Sequence, residues 1–497
     1  DRGYNLTIVA PGNFTATTTL YHSIPQINLS EPINTYASPE FREIFLNEYT
    51  YKSLAYGRTV HNKKYIEYFN KYLQAYKETK ADLFFCDYVS NEACFDLAWK
   101  LKKPVIGFVN PMLGCPVSME NESFYNRFRC AVVQPLRLGW HFRKNLNYLN
   151  AKRAEVGVSG HCDFRGTIAN TLFLVDNFFG FEVSSAWLPL HQEIGPILPD
   201  IYPDLSPDLE LFLSAHPRTM YIALGTAAYT TPKNFVIVLQ SALELINSNI
   251  LDGVIWATVR FNESDLPSTF TLSNGDIIST SNLSNNLYPH IYITKYAPQF
   301  AILSHENTKV FLSHAGVGSS HESMYTATPM LLLPIGFDQP GNAGKLELTG
   351  MALLLSKLDL RVDDIVSKVK RLMFEKSFKI NAERMQVLAK FNSKRKYRGA
   401  DLIEIVMNLA MLEGVRNENG ELEVDNKVLM RHWITPNSRM GFIRGNYLDV
   451  FGVAIIIVLV TITSLVYGFY KVIMFAFKKW TLRNRNSQED SSKPKNE

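Results

Sequence analysis

The feature that most constrains this sequence is an uncharged apolar stretch near the C-terminus, residues 450–470, rich in isoleucine, valine and leucine. Asp449 and Lys471 flank it. A helix of about 20 apolar residues matches the roughly 30 Å hydrocarbon core of a bilayer, whereas the alternative, a buried helix of a soluble protein, is usually shorter. We therefore predict one transmembrane helix over residues 449–470.

The residues after this stretch, 471–497, form a basic tail. Its first part contains Lys471, Lys478, Lys479, Arg483 and Arg485. The positive-inside rule places such a tail in the cytosol and the large body across the membrane. The final residues, KPKNE, resemble the K-x-K-x-x retrieval signal of endoplasmic-reticulum membrane proteins, with an ordinary solvated tail as the alternative. The sequence opens on DRGYNLTIVAP without a Met or a signal peptide, so we expect a processed or truncated chain.

Glycosylation triplets also favour a luminal body. Asn-x-Ser/Thr occurs before the apolar stretch and not after it, at Asn5, Asn13, Asn28, Asn121, Asn262 and Asn282. Each triplet alone is weak evidence, but the one-sided distribution predicts a glycoprotein. Asn5 falls in a predicted strand and is therefore the poorest acceptor of the set.

The five cysteines lie in the first third of the chain, at Cys86, Cys94, Cys115, Cys130 and Cys162. The sequence contains no CxxC pair, which disfavours a zinc site. One or two disulfides can form if the compartment is oxidising, and the odd number of cysteines leaves at least one free thiol.

The rest of the chain alternates apolar runs with segments of helical period, such as 234–249, which indicates parallel α/β units. The predicted strands are 5–10, 82–86, 104–109, 171–175, 219–224, 253–258, 309–313 and 330–333. Residues 195–217 are rich in proline and indicate a linker followed by one short helix. We predict domains at 1–198 and 218–445, joined by a linker at 199–217, with a ligand cleft between two doubly wound sheets.

A basic window interrupts the first half. Residues 124–153 contain seven Lys or Arg, no Asp or Glu, and several aromatics. Such a segment fits an anionic membrane surface where a lipophilic acceptor enters, or equally a solvated helical insertion. The net charge of the whole chain is only +4 over 497 residues, which gives no indication of nucleic-acid binding.

The candidate binding residues cluster in 309–342. A predicted strand ends in Ser313 and His314, and a glycine loop then leads into a helix whose first turn is expected to hold Glu322. Backbone amides at a helix N-terminus suit a diphosphate, and a carboxylate suits ribose hydroxyls. Asp338 and Gln339 follow another strand end and Pro334, where they suit sugar hydroxyls. A simple β–α turn, favourable helix-dipole placement and an Asx turn are the respective alternatives.

Residues 296–342 resemble the donor-binding signature of the UDP-glycosyltransferase family. That signature runs aromatic-x-Pro-Gln, an apolar strand, Thr/Ser-His-x-Gly, a glutamate eight residues after the histidine, two prolines and Asp-Gln. Weaker similarity extends through YIALGT and the membrane anchor. Ala315 replaces a common glycine, and Gly318 stands where many relatives have asparagine. The resemblance implies a GT-B fold, that is, two Rossmann-like domains facing a cleft.

The resemblance also implies roles for individual residues. Tyr296, where most relatives have tryptophan, would stack on uracil, Gln299 would contact the nucleoside, and Glu322 would hold the ribose. Asp338 and Gln339 would bind the donor sugar. The diphosphate would be held by His314, Thr226 and the loop residues Gly316, Gly318 and Ser319.

The family's catalytic base is a histidine after the first N-terminal strand, oriented by an aspartate. Asp87 matches that aspartate, with a strand-end turn acid as the alternative. The opening strand resembles the family's second strand, so the base is expected upstream of Asp1. His22 and His61 do not fit the motif.

The sequence thus predicts an inverting glycosyltransferase that moves a hexose, with glucose favoured, from a UDP-sugar to a hydroxyl of a lipophilic small molecule or lipid. No cofactor and no metal are expected, and a homo-oligomer is left open. The alternatives are a UDP-sugar or lipophile-binding membrane protein that lacks the base, and a sterol or sphingolipid glycosyltransferase. The predicted location is the endoplasmic-reticulum membrane.

Overall fold

The structure is a computed structural model of the chain. It describes residues 2–12, 22–31, 46–48, 50–89, 91–109, 123–161, 170–182, 189–226, 230–258, 263–435 and 440–491. The chain forms two compact units, Asp1–Arg431 and His432–Glu497. The triplets at Asn13, Asn121 and Asn262, the cysteines Cys115 and Cys162, and the KPKNE tail lie outside the described residues.

Sixteen strands are described. They are β1 (Ile8–Ala10), β2 (Gln26–Asn28), β3 (Phe84–Asp87), β4 (Val105–Val109), β5 (Leu172–Val175), β6 (His191–Glu193), β7 (Thr219–Ala223), β8 (Gly253–Ala257), β9 (Thr269–Thr271), β10 (Ile277–Ser279), β11 (Ile291–Thr294), β12 (Thr308–Ser313), β13 (Met330–Leu332), β14 (Ala352–Leu354), β15 (Val415–Arg416) and β16 (Leu422–Glu423).

The α-helices of the first unit are α1 (Tyr51–Asn62), α2 (Tyr65–Thr79), α3 (Glu92–Lys100), α4 (Phe124–Phe128), α5 (Gln134–Glu155), α6 (Pro207–Ala215), α7 (Pro232–Asn247), α8 (Thr280–Ser284), α9 (Gln299–Ser304), α10 (Val317–Thr326), α11 (Gln339–Leu348), α12 (Val362–Phe374), α13 (Lys376–Asn392), α14 (Arg395–Glu413) and α15 (Asn426–Leu429). A π-helical turn, Arg129–Val133, joins α4 to α5, and a 3₁₀ turn spans Glu263–Asp265. The second unit contains α16 (Gly441–Gly445) and α17 (Leu448–Ser491).

The N-terminal half is built on a four-stranded parallel sheet in the order β3-β4-β5-β6. Strands β1 and β2 form a separate parallel pair. The strand predicted at 5–10 begins only at Ile8, so the expectation that Asn5 lies in a strand is wrong, and its side chain is exposed. A disulfide joins Cys86 at the end of β3 to Cys94 in α3, which selects one of the pairings that the sequence left open.

The C-terminal half is built on a six-stranded parallel sheet in the order β11-β8-β7-β12-β13-β14. Both faces are covered, as all-parallel sheets require. Alternate residues of β7 show this: Met220 and Ile222 pack on one side with α7 and α12, whereas Tyr221 and Ala223 pack on the other with α6 and α10. The carboxyl ends of the central strands therefore form an edge framed by helices.

Polar caps and prolines explain where the helices around this sheet begin. Thr231 precedes α7, and its side chain accepts a hydrogen bond from the Asn234 N–H, with Pro232 as the first helical residue. Ser206 and Pro207 do the same for α6, which is the short helix that the sequence predicted after the linker. Both arrangements satisfy amides that a helix start leaves unpaired.

The chain returns to the N-terminal sheet after α14. The Val424 N–H donates to the Lys102 carbonyl at 2.7 Å. The Asn426 side chain accepts from the Val105 N–H and donates to the Lys103 carbonyl. Residues 424–426 thus fasten the end of the first unit to the start of β4, while the predicted domain boundaries stay a prediction.

The second unit contains one helix, Leu448–Asn484, that is long and apolar enough to cross a membrane. It covers the predicted span and continues well beyond it, because the basic residues after 470 also suit a helix. Its apolar side chains are exposed within this unit.

Candidate active site

The candidate site lies at the carboxyl edge of the C-terminal sheet, where β7, β12 and β13 end side by side. Gly225 and Thr226 follow β7, His314 follows β12, and the loop after β13 leads to Asp338. In open parallel sheets this edge is where ligands bind. The fold therefore collects predicted site residues from three separate parts of the sequence.

The loop between β12 and α10 turns at Ala315. Its φ of 65° is left-handed, which costs about 1–2 kcal/mol for a residue with a Cβ. The Ala315 N–H donates to Ser313 Oγ, and the Ala315 carbonyl accepts from Asn342 Nδ2, each at 3.2 Å. These two bonds hold the turn, after which α10 starts at Val317 with its free amides at the sheet edge.

The His314 ring lies against two glycines. A Cβ at Gly225 would be 2.7 Å from the ring, and one at Gly316 would be 2.4 Å from Nε2. Burial lowers the pKa of His314 to about 4, with a backbone contact from Ala223 acting the other way. Its Nδ1 is buried without a hydrogen-bond partner in the described part of the chain. His314 is thus a neutral imidazole, not a cation, beside the loop.

Glu322 lies in the second turn of α10 because that helix begins at Val317, so its predicted place in the first turn is wrong. Helix-dipole stabilisation fades beyond the first turn and explains this acid poorly. Gln299 donates to Glu322 Oε2 at 2.7 Å and to Ser319 Oγ at 3.1 Å. Burial raises the pKa of Glu322, and the bond from Gln299 opposes that rise. The residues predicted to hold the nucleoside and the ribose therefore form one connected cluster.

Asp338 precedes α11 and bonds to a side chain within that helix. Its carboxylate accepts from Asn342 Nδ2 at 2.8 Å. Burial raises the pKa of Asp338, and the bond from Asn342 and the positive charge of Lys345 oppose the rise. Because Asn342 also donates to the Ala315 carbonyl, the predicted sugar-binding and diphosphate-binding segments are hydrogen-bonded together.

The side-chain oxygen of Gln339 accepts hydrogen bonds from backbone amides. Its Oε1 accepts from the Ile335 N–H at 2.8 Å and the Gly336 N–H at 3.1 Å, and the residue is buried. The side-chain NH₂ is therefore the group that Gln339 has to offer a sugar hydroxyl.

The remaining predicted residues line the open part of the edge. Tyr296 follows β11 and is 69% exposed, which leaves its ring face accessible. Thr226 and Gly318 are also exposed, and a side chain at 318 would meet open space. Many relatives have a polar side chain at position 318, whereas this chain has a glycine. The space beside the loop at this position is therefore unfilled.

A buried ionic cluster lies behind Asp338. Lys345 Nζ is 2.5 Å from Glu182 Oε2, and both side chains are nearly buried. Asn177 donates to the same carboxylate. Burial and the charge of Glu182 raise the pKa of Glu193 to about 7. The cluster ties α11 to the segment that follows β5 in the N-terminal half.

Asp87, the predicted orienting acid, is the last residue of β3 and is exposed to solvent. Its carboxylate accepts from the Val89 N–H at 3.0 Å, which is the local turn that the sequence left as the alternative role. Partial desolvation by surrounding protein raises its pKa, and the Val89 bond opposes the rise. The accessible carboxylate remains free to contact a further group.

Asn342, Lys345 and Glu182 are further residues of the site that the sequence analysis does not predict. The first two follow Asp338 on α11 at helical spacing, 338, 342 and 345, so the periodicity of that helix was the signal that would have found them. Glu182 has no such signal, because its partner is 163 residues away in the sequence.

Comparisons with known proteins agree with this geometry. Residues 141–407 match the family model described as UDP-glucoronosyl and UDP-glucosyl transferase. A UDP-glycosyltransferase of Phaeomoniella chlamydospora is 31% identical over 74% of this chain and 76% of its own length. The chain belongs to the UDP-glycosyltransferase family. The predictions of the family and of a glycosyltransferase enzyme are confirmed.

Other relatives cover less of their own length. A UDP-glycosyltransferase of Talaromyces amestolkiae is 32% identical, and the match spans 67% of this chain and 63% of that protein. Rabbit UDP-glucuronosyltransferase 1A6 is 32% identical over only 29% of each chain. The extent of these two matches therefore differs, from 67% of this chain for the Talaromyces protein to 29% for the rabbit protein.

Solved structures confirm the predicted GT-B fold. The glycosyltransferase of kitacinnamycin aligns with a TM-score of 0.56 at 18% identity, over 81% of this chain and 91% of its own. Os79 of O. sativa, in complex with U2F and a trichothecene, aligns with a TM-score of 0.52 at 15% identity, over 78% of this chain and 89% of its own. At these identities the likeness establishes the fold alone.

Proposed function

We propose that this enzyme transfers a hexose, with glucose favoured, from a UDP-sugar to a hydroxyl of a lipophilic small molecule or lipid. The observation that carries the proposal is one sheet edge that holds two hydrogen-bonded groups, Gln299 with Glu322 and Asn342 with Ala315 and Asp338. It supplies, in order, groups for a nucleoside, a ribose, a diphosphate and a sugar.

The chemistry proposed is an inverting displacement. A general base removes the proton from the acceptor hydroxyl, the oxygen forms a bond to the anomeric carbon, and the bond from that carbon to the UDP oxygen breaks. The leaving diphosphate is stabilised by the amides at the start of α10 without a metal. Asp87 orients that base.

A neutral donor sugar is favoured by the charges near Asp338. A uronic acid would bring a second carboxylate to this acidic side chain and would need a cation to balance it. Lys345, whose positive charge acts on Asp338, is already paired with Glu182. Glucose, which has only hydroxyls to bind, avoids that conflict.

Two observations support a luminal body anchored by α17. The Cys86–Cys94 disulfide suits an oxidising compartment. The described glycosylation triplets, Asn5, Asn28 and Asn282, all have exposed side chains. With the basic tail in the cytosol, the endoplasmic-reticulum membrane is the proposed location.

Calorimetric titration of the full-length protein in detergent with UDP, UDP-glucose and UDP-glucuronate tests the donor. We expect UDP-glucose to bind most tightly and Glu322→Ala to weaken UDP binding by about 1–3 kcal/mol, as expected for a lost buried hydrogen-bonding partner. The matched control is Glu306→Ala, an exposed acid that precedes β12 at the opposite end of the strand. No UDP binding by folded protein would overturn the proposal.

The acceptor class requires product analysis. Incubation with UDP-glucose and either a panel of lipophilic alcohols or a membrane lipid extract separates a small-molecule enzyme from a sterol or sphingolipid glycosyltransferase. UDP-glucose binding without transfer to either set would favour the alternative of a binding protein that lacks the base.

A further inference from the structure

The segment Phe124–Lys144 presents an apolar stripe to solvent. It comprises α4, the π-helical turn and the first half of α5. Exposed apolar residues recur at every fourth position, namely Phe124, Phe128, Val132, Leu136 and Trp140. Phe124, Leu136 and Trp140 are 74%, 70% and 67% exposed to solvent. Side chains of this size are usually covered in a folded protein.

The opposite face of the same helix is fixed to the protein. Asn145 accepts from Asn62 at 3.0 Å and donates to Thr59 at 3.0 Å, and Leu149 is buried. Nine residues are two and a half helical turns, so Leu136 lies opposite Asn145. The exposed stripe is therefore held outward by a rigid helix and is not a frayed end.

The charges beside the stripe all have one sign. Exposed cations accompany it at Arg127, Arg129, Arg137, Arg143 and Lys144. The sequence from 123 to 154 contains no acidic residue. The Arg143 guanidinium lies 4.5 Å from the centre of the Trp140 ring, so cation and aromatic are already side by side. This pairing of aromatics with basic residues is typical of surfaces that lie in the headgroup region of a bilayer.

We propose that Phe124–Lys144 is a second membrane contact, which inserts its apolar stripe among anionic phospholipids while the cations pair with headgroup phosphates. A second copy of the chain is a poorer occupant, because a symmetric contact would place like charges opposite each other. The proposed α17 anchor supplies the bilayer. The inference rests on that anchor and is independent of the donor proposed above.

The test uses the intrinsic fluorescence of Trp140 in the full-length protein. The protein is reconstituted in nanodiscs of phosphatidylcholine alone, or of phosphatidylcholine with phosphatidylserine, each containing a lipid with a nitroxide near the headgroup. The difference between the wild type and Trp140→Phe isolates the contribution of this residue. We expect that contribution to be quenched at least twofold more in the phosphatidylserine discs than in phosphatidylcholine alone.

Charge reversal provides the second arm. Arg127→Glu with Arg137→Glu should abolish the phosphatidylserine-dependent quenching, whereas Lys370→Glu with Lys376→Glu, an equal charge change at exposed residues of α12 and α13, should not. Unchanged UDP binding confirms that each variant is folded. Flotation of the discs in high salt reports insertion of the α17 anchor separately.

Three outcomes would overturn the proposal. The first is no quenching of Trp140 in either kind of disc. The second is equal quenching in both kinds of disc that charge reversal does not change. The third is protection of Trp140 from the quencher only when the protein self-associates. The last result would assign the stripe to a contact between copies, and a failure of flotation would instead refute the anchor.

Discussion

Lys345→Met is expected to destabilise the folded protein strongly, although Lys345 is not among the predicted binding residues. Lys345 and Glu182 are 6% and 11% exposed, with 2.5 Å between their charged atoms. Removing one member of a buried ion pair leaves the other charge uncompensated, which typically costs about 3–5 kcal/mol. Asn177 still donates to Glu182, so we expect a loss near the lower end, about 3 kcal/mol.

The double variant Glu182→Leu, Lys345→Met separates the ion pair from simple packing. Replacing both charges by apolar groups of similar volume leaves no buried charge and is often neutral or stabilising. We therefore expect the double variant to recover most of the stability lost by Lys345→Met. Urea unfolding of the full-length protein in detergent, followed by the fluorescence of the buried Trp256, measures the free energy of unfolding for each variant.

The reasoning would be refuted by either of two results. One is a loss below about 1 kcal/mol for Lys345→Met, which is the range of exposed ion pairs. The other is a double variant whose loss equals the sum of the single variants, because additivity would mean that the two side chains do not interact.

Three further predictions concern the site and its surroundings. Gly225→Ala should weaken UDP binding measurably by calorimetry, because φ is 73° and the new Cβ would lie 2.7 Å from the His314 ring. Gln339→Leu should lower the free energy of unfolding by about 2–4 kcal/mol, since it strands two buried amides, whereas Gln339→Glu should retain stability and lose hexose transfer. Glu193→Gln should reduce the pH dependence of the free energy of unfolding. The pKa of Glu193 is raised to about 7 in the folded protein, so the wild type loses stability as the pH rises from about 4.5 to 7. We expect this loss to be roughly 1–2 kcal/mol after allowing for the partial exposure of the side chain.

Much of the sheet architecture was predictable because most of the predicted strands, such as β5 and β7, are buried on both faces. Each of the eight predicted strands overlaps an observed one, and the ends differ by at most three residues. The strands missed are short or polar. His191–Glu193 forms β6 with half-buried polar side chains, and only its pairing with β5 makes it a strand. Such pairing is a long-range effect that local patterns do not contain.

The sequence indicated which residues follow the strand ends at the carboxyl edge of the C-terminal sheet, but not which of them contact one another. The order of His314, Glu322 and Asp338 along the chain indicated a ligand edge. The sequence did not indicate that Asn342 bonds to both Asp338 and the Ala315 carbonyl, or that Gln299 bonds to Glu322. Those contacts depend on how the helices pack across neighbouring strands, which periodicity does not specify.

The side-chain amide of Asn342 has a consequence for how two neighbouring segments respond to a ligand. Its Nδ2 donates both to the Ala315 carbonyl and to Asp338 Oδ2, so neither the loop after β12 nor the start of α11 can shift without lengthening a bond to the other. A ligand that displaces the Asp338 carboxylate would therefore also change the left-handed turn at Ala315, from which α10 begins. The two segments are expected to move together, whichever of them a ligand contacts first.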